Sequence, residues 1–317
     1  MPINLIRPND ASRRQGAFSR REKARCNTDV ARMNVVRTRA ELYSQLGSLR
    51  NAGRSLGLVP TMGALHAGHV SLVDASAAAC NATVVTIFVN PTQFAPHEDF
   101  AKYPRTLERD LELLAGHGCS LVFAPQPSEI YRPGHATYVE MGGPALPLEG
   151  KIRPGHFRGV ATVVLKLFEL VRPDVAFFGQ KDYQQCLVIR RLAADFDLPI
   201  DVRVCPIVRE PDGLAMSSRN AYLSADERRR ALVLSRSLQE AANLANQGER
   251  RAAEILSSMR EVFATEPEVA VEYIVLADPD SLAEVEQLTG PTVALVAARV
   301  GSTRLIDNEI LLASTRA

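Results

Sequence analysis

Val84, Val85, Ile87, Phe88 and Val89 follow one another with hardly a polar interruption. A strand so apolar on both sides is stable only where further layers cover both its faces, which is the situation inside a parallel sheet. Four more short β-rich runs, at 56–59, 120–124, 174–178 and 201–208, accompany the one at 83–89. Helical patterns fall between them, over 70–79, 106–117, 160–171 and 183–195. In the second, Leu107, Leu111 and Leu114 recur at helical spacing while Glu108, Arg109, Asp110 and Glu112 take the other face. Strands joined through helices make βα units, so residues 33–208 are predicted to form a doubly wound, Rossmann-like parallel sheet domain.

The pattern changes after Val208. Arg209, Pro211 and Gly213 mark a turn-rich break that suits a linker. Beyond it, Ser224 and Glu227 have the spacing of a capping box at the start of a helix carrying Leu234, Leu238 and Ala241. A further helix over 252–264 and strands at 271–276, 292–300 and 303–306 complete a small α+β domain over 209–317, expected to act as a lid. A chain of 317 residues, 46% of them hydrophobic, can fill two such cores. Residues 1–32 differ: Arg13, Arg14, Arg20, Arg21, Lys23 and Arg25 stand among few acids with no apolar periodicity. They read as a disordered basic arm, with a transit-like segment or a start codon properly at Met33 as alternatives.

Charge and cysteine usage narrow the partners. Lys plus Arg (37) and Asp plus Glu (36) nearly cancel, for a net charge of +1, so no global field favours nucleic acid and a small-molecule partner is expected. No run approaches the roughly 18 uninterrupted apolar residues that a membrane span needs. Cys26, Cys80, Cys119, Cys186 and Cys205 are odd in number and widely spread, without a C-x-x-C pair, which predicts reduced thiols in a cytoplasmic protein.

The segment PTMGALHAGHVSLV, residues 60–73, follows the first strong strand and opens a helix. In an open α/β sheet that is the crevice at the carboxyl ends of the strands, where ligands bind. Gly68 leaves room for a phosphate near the backbone, the helix N-terminus favours negative charge, and His66 and His69, three apart, can point one way. Two imidazoles there can donate hydrogen bonds to a phosphoryl group as its charge grows. By the same logic Lys181, after the strand at 174–178, can neutralise phosphates, and Asp182 can bond a nucleotide hydroxyl. Ser217, Ser218 and Arg219, after the break, offer two hydroxyls and a forked donor suited to a phosphate clamp. Taken singly, each is as ordinary as a solvated loop residue; position at strand ends gives weight to His66, His69, Lys181 and Asp182, and the break before them, with the other motifs, gives it to Ser217, Ser218 and Arg219.

This H-x-G-H pattern, with IFVNPTQF, YPRT, RPGHFRGV, FFGQKDYQQ and GLAMSSRNAYL further on, resembles the pantoate–β-alanine ligase (pantothenate synthetase) family of the H-x-G-H nucleotidyltransferases, over about residues 33–310. The resemblance implies a two-step ligase: pantoate and ATP give pantoyl adenylate and pyrophosphate, and β-alanine then displaces AMP. It implies catalytic roles for His66, His69 and Lys181. ATP would be held by Pro60, Thr61, Met62, His66, His69, Gly179, Lys181, Asp182, Val208, Met216, Ser217, Ser218 and Arg219, and pantoate by Gln93 and Gln185. Arg153 and His156 would border the pantoate or β-alanine end. Mg²⁺ is implied with ATP, with Asp99 as its candidate protein ligand, and so is a homodimer. The chain departs from the family pattern at Gln180, usually glutamate, and at Thr92, usually methionine. Another H-x-G-H nucleotidylyltransferase, a class I aminoacyl-tRNA synthetase or a non-catalytic nucleotide sensor are the rival readings. The synthetase lacks an anticodon-sized extension here, and the intact motif residues argue against a sensor.

Overall fold

Successive residues of a strand face opposite sides of its sheet, and here the apolar ones sort into two helical layers. The computed structural model describes residues 33–96 and 98–311; the basic arm expected over 1–32, with Cys26, lies outside the described residues. The larger sheet consists of β1 (Asn34–Val36), β2 (Leu56–Thr61), β3 (Ala82–Ile87), β4 (Cys119–Phe123), β5 (Val175–Gly179) and β6 (Asp201–Cys205). All pairs are parallel, in the order β1-β4-β3-β2-β5-β6. Leu56, Leu58, Val84, Leu121 and Phe178 pack on the side of α1 (Arg39–Asn51), α6 (His156–Val171) and α7 (Tyr183–Asp195). Val59, Val85, Val122 and Phe177 pack on the other, against α2 (Ala67–Ala79) and α3 (Leu107–Leu114). The short helices α4 (Pro127–Ile130) and α5 (Glu149–Ile152) lie in the long connection from β4 to α6. The doubly wound class is therefore as expected.

Chain order reverses between β2 and β5, because the strands after β2 run to one side of it and β5 joins the other. That switch point is where the carboxyl ends of parallel strands open a crevice. A close approach tightens it: a Cβ added to Gly57 on β2 would stand 2.1 Å from Ser76 Oγ of α2, so glycine lets the helix lie directly on the strand.

The smaller sheet is antiparallel, β7 (Val269–Ala277), β8 (Thr292–Val300) and β9 (Thr303–Leu311) in that order. One face lies under α8 (Ala225–Gln247) and α9 (Ala252–Ala264). Val275 and Leu295 on the other meet Tyr183 and Leu187 of α7. The Ser224–Glu227 capping box is present, as the spacing predicts. The turn-rich break is a tight reversal in which Gly213 N–H donates to the Glu210 carbonyl at 2.8 Å and Met216 N–H to that of Val208 at 3.0 Å. Gly213 has φ +93°, a conformation glycine adopts without strain.

Boundaries moved where local pattern outran pairing. The run at 83–89 stops as a strand at Ile87, and that at 201–208 at Cys205, while 303–306 extends to Leu311. β1 and α1 have no counterpart among the sequence expectations, although Thr38 and Glu41 form a capping box of the same kind as Ser224 and Glu227. Among the described residues no helix is long and apolar enough to cross a membrane.

Candidate active site

The loop from β2 to α2 is shaped before its histidines are reached. Gly63 and Ala64 both have positive φ, +84° and +51°, and the exposed amides this turn creates need acceptors. Asp110 of α3 provides them: its carboxylate accepts from Ala64 N–H at 3.0 Å and Leu65 N–H at 2.8 Å. Asp110 is 1% exposed, so this member of the polar face of α3 is turned inward to hold the loop, and its role is one that helix periodicity alone does not reveal.

His66 then caps α2. Its Nδ1 accepts from Gly68 N–H at 3.2 Å, and His69 Nδ1 accepts in turn from His66 N–H at 3.3 Å, a capping box built from two imidazoles. A backbone N–H can only donate, so both Nδ1 atoms are acceptors and each neutral ring carries its proton on Nε2. The rings lie 4.1 Å apart between centroids. Burial, followed by the charge of Lys181, lowers the His66 pKa to about 4. Burial and then His66 lower that of His69 to about 3. Both rings are neutral donors at physiological pH. Gly68 also makes room beside the ring: a Cβ there would stand 3.0 Å from the His66 imidazole, so its lack of a side chain serves that packing as well.

Across the switch point, β5 ends at Gly179, and Gln180–Asp182 form a single 3₁₀ turn. Lys181 Nζ lies 3.8 Å from Asp182 Oδ1. Gln180 is buried and its Nε2 donates to Asn308 Oδ1 at 3.2 Å, so it turns to β9 and leaves Lys181 without a charged neighbour at that position.

The loop after β3 supplies Gln93. Asn90, 1% exposed, donates through Nδ2 to Gln93 Oε1 and to the Gly159 carbonyl, both at 3.1 Å. A Cβ on Gly159 would come within 2.4 Å of the Thr92 carbonyl oxygen, which is why α6 can press against this loop. The Thr92 hydroxyl joins Asn90 and Tyr131 in a polar cluster. Arg153 grips Glu98 at 2.6 and 2.9 Å. Burial raises the Glu98 pKa, but Arg153 outweighs it and holds the carboxyl at about 2. His156 Nδ1 donates to the Gln93 carbonyl at 3.0 Å while Nε2 accepts from Arg153.

The reversal at 209–213 returns the chain so that Ser218 Oγ donates to the Ala64 carbonyl at 3.1 Å. Arg219 donates to both oxygens of Asp99, at 3.1 and 3.0 Å. Pro60, Thr61, Met62, His66, His69, Gln93, Gly179, Lys181, Asp182, Gln185, Val208, Met216, Ser217, Ser218 and Arg219 line one cavity of about 230 Å³, together with Arg153 and His156. Asp99 stands behind Arg219, outside that lining. Tyr103 and Asn90 also line the cavity; they lie in the segments YPRT and IFVNPTQF but have no role among the sequence expectations.

A crevice with neutral donors on one wall, a lysine on the other and amide side chains between them suits a polyphosphate beside a small polar acid. Comparison with known proteins agrees. The family model described as pantoate-beta-alanine ligase matches residues 34–310. The pantothenate synthetase of Roseiflexus sp. (strain RS-1) is 52% identical over 279 residues, covering 88% of this chain and 99% of that protein. The crystal structure of pantothenate synthetase from Thermus thermophilus superposes with a TM-score of 0.84 at 45% identity, over 87% of this chain and 99% of that one. The pantoate-beta-alanine ligase of Francisella tularensis, complexed with beta-gamma ATP and beta-alanine, gives a TM-score of 0.72 at 34% identity, over 89% and 98% of the two chains.

Proposed function

Because the chain belongs to the pantoate–β-alanine ligase family, we propose that this crevice condenses pantoate with β-alanine at the expense of ATP. Pantoate's carboxylate attacks the α-phosphorus, giving pantoyl adenylate and pyrophosphate. The amine of β-alanine then attacks the activated carbonyl and expels AMP. Neither step requires a nucleophile from the protein, whose work is alignment, charge neutralisation and exclusion of water from the mixed anhydride.

The observation that carries this reading is the double-imidazole cap, which leaves two neutral Nε2–H donors at the switch point with Lys181 beside them. In this proposal His66, His69 and Lys181 stabilise charge at the phosphoryl group, Gln93 and Gln185 hold pantoate, and Asp182 meets the nucleotide. Residues 33–208 bind ATP and pantoate, while 209–317 cover them and carry the clamp of Ser217, Ser218 and Arg219.

A divalent cation accompanies ATP in this reading, and magnesium is the ion proposed. Among the described residues no group of three or more His, Cys, Asp or Glu is arranged to hold a metal, and Asp99 has both oxygens on Arg219. That donor set fits an ion held chiefly by phosphate oxygens and water, with Asp99 as the carboxylate within reach of the clamp. Such an ion would neutralise the departing pyrophosphate. The homodimer and the cytoplasmic setting belong to the same proposal. Cys80, Cys119, Cys186 and Cys205 are free, which suits a reducing compartment; burial pushes the Cys119 thiol up to about 12 and so makes it unreactive.

Isotope exchange tests the scheme. Labelled pyrophosphate should enter ATP only when pantoate is present and without β-alanine, and AMP release should begin when the amine is added. Folded protein that shows no pantoate-dependent exchange in the presence of Mg²⁺ overturns the adenylate route.

A further inference from the structure

We propose that Asn308, on the last strand of the small sheet, is a positioning residue for Lys181; this rests on reading Lys181 as the cation that neutralises phosphate. The turn Gln180–Asp182 has no side-chain cap of its own, and Asp182 does not cap α7 after it. Asn308 supplies bonds from outside. Its Nδ2 donates to the carbonyls of Gln180 and Lys181, each at 3.0 Å, and its Oδ1 accepts from Gln180 Nε2 at 3.2 Å. Both amide hydrogens and an oxygen lone pair are committed to this one turn. At 1% exposure the amide is shielded from water, so these bonds are strong and costly to leave unmade.

Asn308 is itself held. Its N–H donates to Asp307 Oδ1 at 2.8 Å, and Asp307 accepts from Arg209 at 2.7 and 3.1 Å. Arg209 begins the reversal that leads to Met216. One dipeptide of β9 therefore fixes the backbone under Lys181 and the root of the clamp at once. A lysine side chain is long and rotatable, so where its ammonium sits depends on how firmly its backbone is placed, and a misplacement of about 1 Å costs on the order of 100-fold in rate.

A double-mutant cycle tests this. Pantoate-dependent pyrophosphate exchange is measured for the wild type, Asn308→Ala, Lys181→Ala and the double variant, beside thermal unfolding. Asn308→Ala should slow exchange about tenfold through kcat, with the KM for pantoate changed by less than about twofold. In the Lys181→Ala background the same substitution should change exchange by less than about twofold, because the group it positions is gone. Equal fold-losses in the two backgrounds overturn the proposal and assign Asn308 to the fold alone. Lys181→Ala with wild-type exchange is a separate failure, overturning the role of Lys181 on which the proposal stands. Should Asn308→Ala fail to fold, Gln180→Ala removes one of the three bonds. Its expected loss is about threefold, and persistence of that loss without Lys181 counts against the proposal.

Discussion

His66 has its two ring nitrogens in different settings: Nδ1 secures the start of α2 through Gly68 N–H, while Nε2 carries the proton that the proposed reaction uses as a donor. Shorter and longer amides separate the two. In His66→Asn the amide oxygen stands near the place of Nδ1 and can still cap, but no donor reaches the ε position. In His66→Gln the terminal nitrogen stands near Nε2 while the capping atom is lost. The asparagine variant should therefore keep its unfolding temperature and lose about 100-fold in pyrophosphate exchange, the cost of one transition-state donor. The glutamine variant should lose about 1 kcal/mol of stability and retain more exchange than the asparagine variant. Denaturant unfolding and exchange on the same preparations check this, and matching losses in the two variants would count against a division of labour within the ring.

Among the elements, the segment Ser218–Tyr222 is the one whose present contacts conflict with its proposed task. Arg219 spends the Nε and Nη2 side of its guanidinium on Asp99, so two of its five N–H donors reach a phosphate only after that ion pair opens. If Asp99 only parks Arg219, Asp99→Asn should leave the Mg²⁺ requirement unchanged and alter ATP affinity, and Arg219→Ala should abolish that difference. If Asp99 becomes a metal ligand, Asp99→Asn should raise the Mg²⁺ concentration for half-maximal exchange about tenfold, on the scale of one lost carboxylate contact, whatever stands at 219. Arg219→Ala itself should slow adenylate formation more than it weakens ATP binding, as read by single-turnover rates and equilibrium titration. The place of Met216, Ser217, Ser218 and Arg219 in the cavity lining was legible from the turn-rich break before them and from the resemblance, since a Ser-Ser-Arg run alone reads as a surface turn. The carboxylate that holds the H-x-G-H loop was not: Asp110 sits among Glu108, Arg109 and Glu112, and only the positive-φ turn at Gly63 and Ala64 gives its burial a reason. α1 had a readable start in Thr38 and Glu41, whereas β1 is three residues long and exists by pairing with β4, far away in the chain.

For the whole molecule, the neutral state of its buried imidazoles sets how it responds to acid. Burial lowers the pKa of His66 and His156 from 6.5 to about 4 and that of His69 to about 3. Between those values the unfolded chain binds more protons than the folded one, so stability falls as pH drops. These groups contribute in full above about 6.5, and their contribution drains away toward pH 4 and then 3. The unfolding temperature should accordingly decline from about pH 6.5 downward, with a shallower decline in His156→Asn, and a profile flat to pH 4 would contradict the neutral assignment. The alternation of apolar strands and helices made the large sheet readable because each unit is local. What joins the two sheets was not, since Asn308 lies beyond the expected end of the last strand at 306 and its partners stand more than a hundred residues earlier. That distance has a consequence during synthesis. The β-strands and helices of the larger sheet can assemble on the ribosome as they emerge, yet the turn bearing Lys181 acquires its clamp only when residue 308 has left the exit tunnel, so the nascent enzyme reaches its final geometry only after the whole of the smaller sheet has been made.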